Sequence, residues 1–168
     1  IAKDGVDMDK SFGKYAIWGQ YDGKYYGIPF RATQSVVYYN KDMFDKAGVE
    51  YPKDDWTLDE YIETARKMAE WGKDQGIYGT YTHTYANEWA TIAAQKGQWY
   101  TEDGKCNIKD PAWQKALETR KMLDDEGIQM PYGQIVAAKA AINSSFLGGK
   151  EAMVTAGDID VGFFTNQE

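Results

Sequence analysis

Residues 26–49 read YGIPFRATQSVVYYNKDMFDKAGV, and this stretch combines a Gly-Ile-Pro turn signal, a strand pattern and a short helix. The run at 35–40 is β-branched and aromatic, which predicts a strand. Asn40 then stands where a helix N-cap is expected, and Gly48 where that helix should end. We therefore predict a helix over 41–47 directly after the strand.

Outward from this stretch, turn signals and helical periods alternate along the chain. Residues 25–30 predict a short strand, with Pro29 at an edge or crossing point. Thr57 and Glu60 form a capping-box pattern before a helix closed by Gly72 and Gly76. The remaining predicted elements are a strand over 77–82, helices over 88–96, 111–127 (capped by Asp110) and 134–146, and a strand over 151–157.

Strands that alternate with helices indicate an α/β architecture with at least some parallel pairing. Helices outnumber strands, and so few strands do not make a self-sufficient sheet. We expect part of a larger α/β protein. Ligands in such sheets bind at the carboxyl ends of strands, and the chain offers three such places: before Ser35, after Tyr81 and after Ala156.

Composition excludes several classes of function. A net charge of −7 without a basic stripe argues against nucleic acid and anionic membranes. One Cys (Cys106) and one His (His83) exclude a disulfide framework and a zinc site of the usual His/Cys type. No stretch approaches the length of a membrane span. Thirteen Tyr and six Trp favour a binding surface, or dense aromatic packing.

Three runs in order carry a resemblance to a known family. They are 26–30 with 36–49 and Trp56-Thr-Leu-Asp-Glu, then 108–118 with Asp125-Glu-Gly-Ile, and last Phe146-Leu-Gly-Gly-Lys-Glu-Ala-Met-Val-Thr-Ala-Gly. Together they resemble family 1 extracellular solute-binding proteins, the group of the maltose- and glycerol-phosphate-binding proteins. The resemblance implies a type II periplasmic-binding-protein-like fold that is helix-rich, two-lobed and hinged. The chain would be an internal fragment, with 1–24 leading into the hinge and 25–168 forming most of one lobe.

The same resemblance implies a function without catalysis. The protein is expected to bind a solute, most simply a sugar, outside the cytoplasm and to deliver it to ABC permease subunits, with no cofactor. It would lie in the periplasm or be lipid-anchored at the outer cell surface. Two alternatives stay open: a carbohydrate-active enzyme domain, and a binding protein for a non-sugar solute such as a polyamine, a phosphate ester or a peptide.

The segment that crosses between lobes supplies the first set of site residues. Gly27 and Pro29 are expected at the hinge, since one frees and the other fixes a backbone angle. The resemblance places Thr33 where a sugar hydroxyl is bound, with Arg31 and Gln34 as neighbours in contact with ligand. A guanidinium favours carboxylate or phosphate, so Arg31 would admit an acidic solute. The alternative is a solvated loop.

Two further segments supply the second set. Trp89, and after it Tyr85, are expected as a flat platform for a sugar ring, although Trp89 would otherwise be a core residue of its helix. His83 is interpreted as a packing residue. Gly157, at the end of the last strand, and Asp158 after it are expected to contact the ligand, and Asp158 would accept hydroxyl hydrogen bonds or else cap the next helix. Many relatives in the family carry a stacking Trp two residues after this Gly, where this chain has Ile159.

Overall fold

The structure is a computed structural model that describes residues 4–165, and of Ala86, Asn87 and Thr165 the backbone alone. It separates into two compact units, Ile1–Gln34 and Ser35–Glu168. Each unit is therefore described by itself.

The first unit contains a short helix and a small hairpin. Its elements are α1 (Met8–Phe12), a 3-10 helix (Gly13–Gly19), β1 (Gln20–Tyr21) and β2 (Lys24–Tyr25). The hairpin closes at Asp22 and Gly23, both of which adopt positive φ, as a tight two-residue turn requires.

The strand predicted over 25–30 is wrong beyond Tyr25, the last residue of β2. The N–H groups of Tyr26 and Gly27 both donate to one acceptor, the carbonyl oxygen of Gly19, at 2.8 and 3.3 Å. Two donors that converge on one oxygen cannot continue a ladder. Pro29, further on, has no N–H to contribute to a strand.

The second unit is rich in helix. Its elements in chain order are β3 (Ser35–Tyr39), α2 (Lys41–Ala47), α3 (Leu58–Gly72), a 3-10 turn (Lys73–Gln75), α4 (Ala86–Ala94), α5 (Pro111–Asp125), α6 (Tyr132–Ala138), α7 (Ile142–Leu147), β4 (Met153–Gly157), a 3-10 turn (Asp158–Asp160) and α8 (Val161–Thr165).

The sheet formed by the named strands of this unit is antiparallel, and the parallel pairing that was expected at least in part involves other segments. β3 and β4 pair antiparallel, from Ser35 opposite Gly157 to Tyr39 opposite Met153. Parallel pairing occurs only as isolated bridges in the described residues, where 78–80, expected as part of a strand, bridges to Glu151 and Gln129. The register brings the start of β3 beside the end of β4.

The helix predicted over 134–146 is two helices, α6 and α7. Lys139 adopts a left-handed conformation, with φ of 49°, and the N–H of Ala140 turns back to the carbonyl oxygen of Ile135 at 3.0 Å. Such a residue ends a helix with its last carbonyls satisfied. The apolar period ran through this break because both helices pack on the same core.

The helix N-caps that were predicted from the sequence are confirmed. The Asn40 side chain accepts from the N–H of Met43 at 3.1 Å, and Gly48 is left-handed at the end of α2. Thr57 and Glu60 form the full capping box of α3. Asp110 accepts from the N–H of Ala112 at 2.8 Å at the start of α5.

Replacing Thr57 with alanine is expected to destabilise the protein by about 1 kcal/mol, because the N–H of Glu60 loses its acceptor. Urea unfolding followed by circular dichroism measures the change. The Thr57→Ser variant keeps the hydroxyl and is expected to stay near the parent. Equal losses in both variants would show that the hydroxyl does not cap α3.

Three apolar clusters form the core of the second unit. The largest joins α2, α3 and the end of α5 around Phe44, Met68 and Leu123. A second packs β4 against Tyr81 and Ile135. The third holds α4 on α5 around Trp113. The segment from Tyr81 to α4 is therefore held on one side by the sheet and on the other by α5.

Gly79 lies just before Tyr81, at a close approach to the backbone of α3. A Cβ added at Gly79 would lie 1.8 Å from the carbonyl oxygen of Ala65 in α3. Only a residue without a side chain fits so close to another backbone. The approach fixes where the irregular run toward Tyr85 begins.

Candidate functional site

The end of β4 and the turn after it form one part of the candidate site. The Tyr38 hydroxyl donates to the carbonyl oxygen of Gly157 at 2.9 Å, and the N–H of Gly157 donates to Oδ2 of Asp160 at 3.1 Å. The backbone of Gly157 is thus fixed on both sides. The Asp158 side chain is exposed. Asp160 thus binds the backbone of this turn through its side chain, and the roles considered for Asp158, ligand contact or helix cap, stay predictions.

Tyr85 and Trp89 lie in different environments. Tyr85 is 61% exposed and immediately precedes α4. Trp89 is half-buried, and its ring meets Trp113 edge-on with centroids 6.0 Å apart in the cluster between α4 and α5. This contact with Trp113 agrees with the core role that the sequence left open for Trp89. Of the two aromatic candidates, Tyr85 presents the larger surface to a ligand, and both remain predictions as ligand contacts.

The candidates Arg31, Thr33 and Gln34 are all exposed and belong to the first unit. Gly27 and Pro29, the predicted hinge residues, are half-buried in the same unit. None of these five residues lies in a helix or strand. Their ligand-binding and hinge roles stay predictions.

A cavity of about 510 Å³ opens in the second unit between β3, the 52–58 loop and α4. Its lining includes apolar side chains, among them Val37, Tyr39, Trp56 and Leu58, and polar ones, among them Thr82, Glu88, Thr91, Gln95 and Thr155. The polar part of this lining was not predicted from the sequence. The spacing of Glu88, Thr91 and Gln95 could have indicated it, because such positions share one face of a helix, here α4 with its C-cap residue Gln95.

Glu88 connects this cavity to the turn after β4. Burial, and then the negative charge of Asp160, raise the pKa of Glu88 above its ordinary value. Glu88 and Asp160 are therefore close enough for their charges to interact. Carboxyl oxygens accept hydrogen bonds from the hydroxyl groups of a neutral solute.

A buried polar group lies beneath Tyr85. His83 is 8% exposed, and its Nδ1 lies 2.8 Å from the hydroxyl oxygen of Tyr81. Arg120 of α5 donates from Nη1 to the carbonyl oxygen of His83 at 2.8 Å. Burial, and then the charge of Arg120, lower the pKa of His83, so the imidazole is neutral at pH 7. The interpretation of His83 as a packing residue agrees with this environment.

The described residues contain no cluster of three or more His, Cys, Asp or Glu side chains placed to hold a metal ion. Within 4–165, no helix combines the length and the apolar character that a bilayer crossing needs.

Comparison with known proteins decides the family. The family model described as bacterial extracellular solute-binding protein matches residues 2–167. The chain belongs to this family. The resemblance found in three sequence runs is thereby confirmed, and the fold is that of type II periplasmic binding proteins, with the chain forming part of one lobe.

Three individual solute-binding proteins are similar to this chain in structure or sequence. An ABC substrate-binding protein from Listeria monocytogenes, solved in complex with cycloalternan, matches with a TM-score of 0.76 and 28% identity over 98% of this chain and 46% of its own. A solute-binding protein from Agrobacterium vitis with bound D-mannitol has a TM-score of 0.65 and 28% identity, covering 99% of this chain and 43% of its own. The diacetylchitobiose-binding protein of Streptomyces coelicolor is 29% identical over 96% of this chain and 40% of its length.

The solute-binding chain therefore spans less than half the length of these three relatives. Family and relatives are binding proteins, which agrees with the expectation of a function in binding. They also agree with the predicted class of solute-binding components of ABC transporters.

Proposed function

We propose that this protein binds a sugar or sugar alcohol outside the cytoplasm and passes it to the permease of an ABC transporter. The observation that carries the proposal is the family match, which covers almost the whole chain. The ligands of three relatives, cycloalternan, D-mannitol and diacetylchitobiose, share one chemistry, that of neutral polyhydroxylated molecules. The protein carries out no catalysis and requires no cofactor.

The exposed face of Tyr85 supports a sugar as the ligand. An aromatic face packs against the C–H face of a sugar ring, while neighbouring polar groups bind its hydroxyls. Asp158, exposed after β4, supplies two acceptor oxygens for such hydroxyls. Thr33 and Gln34, with Arg31 beside them, are further contacts in the proposal, and so are Gly157 and Trp89.

The mechanism is closure of the complete protein around its solute. Ligand contacts that exist only in the closed form shift the equilibrium toward it. Gly27 and Pro29 are proposed to absorb the backbone change, with 1–24 leading into the hinge and 25–168 belonging to one lobe. The outer ends of those two ranges lie outside the described residues. A lipid anchor or a periplasmic location completes the proposal.

Replacing Tyr85 with alanine is expected to weaken sugar binding by about tenfold or more, the effect of losing one aromatic platform. Isothermal titration calorimetry of the complete protein measures it, with D-mannitol, diacetylchitobiose and cycloalternan as ligands. Tyr100→Ala is the matched control, because Tyr100 is 67% exposed but lies outside the candidate site. Similar affinities of the Tyr85→Ala variant and the parent would remove Tyr85 from the site.

The same titrations separate the alternative functions. Spermidine and glycerol 3-phosphate represent the non-sugar solutes, and binding of either in place of every sugar would contradict the proposal. Chromatography of each sugar after incubation tests for an enzyme. Recovery of the unchanged sugar is expected, whereas sustained release of product would favour a carbohydrate-active enzyme.

A further inference from the structure

Three rings follow one another from the core to the surface in the run before α4. The rings of Tyr81 and His83 are stacked with centroids 5.8 Å apart, and the rings of His83 and Tyr85 meet edge-on at 4.2 Å. Their exposed fractions are 0%, 8% and 61%. The exposed ring of Tyr85 thus has a buried support directly behind it.

Hydrogen bonds select the tautomer of the middle ring. The Tyr81 hydroxyl has one proton, and it donates to the carbonyl oxygen of Ala140 at 3.3 Å. Nδ1 of His83 lies 2.8 Å from the same hydroxyl oxygen. For both bonds to exist, the proton between Tyr81 and His83 must belong to Nδ1. Burial raises the pKa of Tyr81 to about 12, so its hydroxyl stays protonated and can donate to the carbonyl oxygen of Ala140.

The backbone of His83 is fixed independently of its ring. Arg120 reaches its carbonyl oxygen from α5, and the guanidinium also lies over the Tyr132 ring, 5.5 Å from the centroid. Among the described side chains, His83 contacts the Tyr81 hydroxyl and the Tyr85 ring, and the charge of Arg120 acts on its pKa. The imidazole therefore has little freedom to turn away from Tyr85.

Resting on the sugar-binding function proposed above, we propose that His83 is a positioning residue, whose Nδ1–H imidazole sets the orientation of the Tyr85 ring before the sugar arrives. An exposed aromatic side chain that is already ordered loses less conformational freedom on binding than a mobile one. His83 thus acts on affinity through Tyr85 and does not itself contact the ligand.

A double-mutant cycle in the complete protein tests this dependence. Affinity for the tightest ligand among D-mannitol, diacetylchitobiose and cycloalternan is measured for His83→Leu, Tyr85→Ala and the double variant. The His83→Leu variant is expected to bind about threefold to tenfold more weakly. In the Tyr85→Ala background, the same change is expected to have no further effect, since its target is gone. Losses that multiply would overturn the positioning role.

Two further measurements separate positioning from loss of stability or of function. Asn40→Ala removes the N-cap of α2, a helix that contributes no residue to the cavity or to the three rings, and is expected to leave affinity unchanged, so equal weakening there would assign the effect of His83→Leu to stability. Nitrogen NMR of the His83 imidazole, without ligand, is expected to show the Nδ1–H tautomer at pH 7. An Nε2–H tautomer or a charged ring would overturn the proposal that the Nδ1–H imidazole orients Tyr85. Failure of all three sugars to bind would overturn the proposed function together with this role, whereas binding with multiplied losses would overturn the role alone.

Discussion

Replacing Trp113 with alanine is expected to lower the free energy of unfolding by about 3–5 kcal/mol, the range for a large aromatic side chain removed from a core. Trp113 is 1% exposed and joins α4 to α5. Trp99 packs on it with centroids 4.0 Å apart, and Trp89 meets it edge-on. Both partners would border the cavity left behind. Urea unfolding followed by circular dichroism measures the loss.

A second variant tests whether the loss of stability comes from the burial of the Trp113 ring. Trp99→Ala removes a ring of the same kind that is 49% exposed, and its cost is expected to be clearly smaller. Because α5 also carries Arg120, which holds the backbone of His83, Trp113→Ala should weaken sugar binding as well. A loss below 1 kcal/mol for Trp113→Ala would contradict the view that this ring anchors α4.

Stability of the protein is expected to fall as pH rises from about 5 to 7.5, because of the carboxyl group of Glu151. Glu151 is fully buried, and its Oε1 accepts from the Ser145 hydroxyl at 2.6 Å. Burial raises its pKa from 4.5 to about 7, although Ser145 and the charge of Lys150 act in the opposite direction. Between these two values the folded protein holds a proton that the unfolded chain has released.

The sign follows from this difference in bound protons. Stabilisation is fully present below the pKa of the unfolded chain and is lost as pH rises through the folded pKa. Since one pKa unit corresponds to about 1.36 kcal/mol, the loss amounts to about 2–3 kcal/mol. The Glu151→Gln variant, which cannot titrate, is expected to lack this decline and to exceed the parent in stability at pH 8.

Denaturant unfolding at a series of pH values checks the role of Glu151. The exposed Glu70 on α3 provides the control, since Glu70→Gln should leave the pH dependence of the parent intact. A decline that persists unchanged in Glu151→Gln would assign it to other groups. The sequence alone gave no sign of this residue, because Glu151 stands between a Lys and an apolar strand and reads as a surface position.

Local signals predicted the helices of this protein well. Asn40, Thr57 and Asp110 begin their helices as expected, because a side-chain oxygen two or three residues before a free N–H acts within a single turn. The break at Lys139 was missed, since the hydrophobic period does not record a backbone angle. The antiparallel pairing of β3 with β4 was missed because strand direction depends on partners distant in sequence.

The candidate site was predictable only as a set of segments. Tyr85 and Asp158 are exposed and follow predicted strands, and their roles as ligand contacts stay predictions. The two roles considered for Trp89 could not be separated from the sequence, because whether an aromatic residue on a helix faces a ligand or Trp113 depends on how α4 packs on α5. The support of Tyr85 by His83 was invisible for the same reason: Arg120, which fixes it, lies 37 residues further along the chain.

The crystal structure of the complete protein with its tightest-binding sugar tests the central claim most directly. We expect electron density for one chemically unchanged sugar whose ring packs on the exposed face of Tyr85, with hydroxyls near Asp158. Density for the sugar away from Tyr85 and Asp158, for instance only in the cavity between β3 and α4, would contradict the proposed binding site.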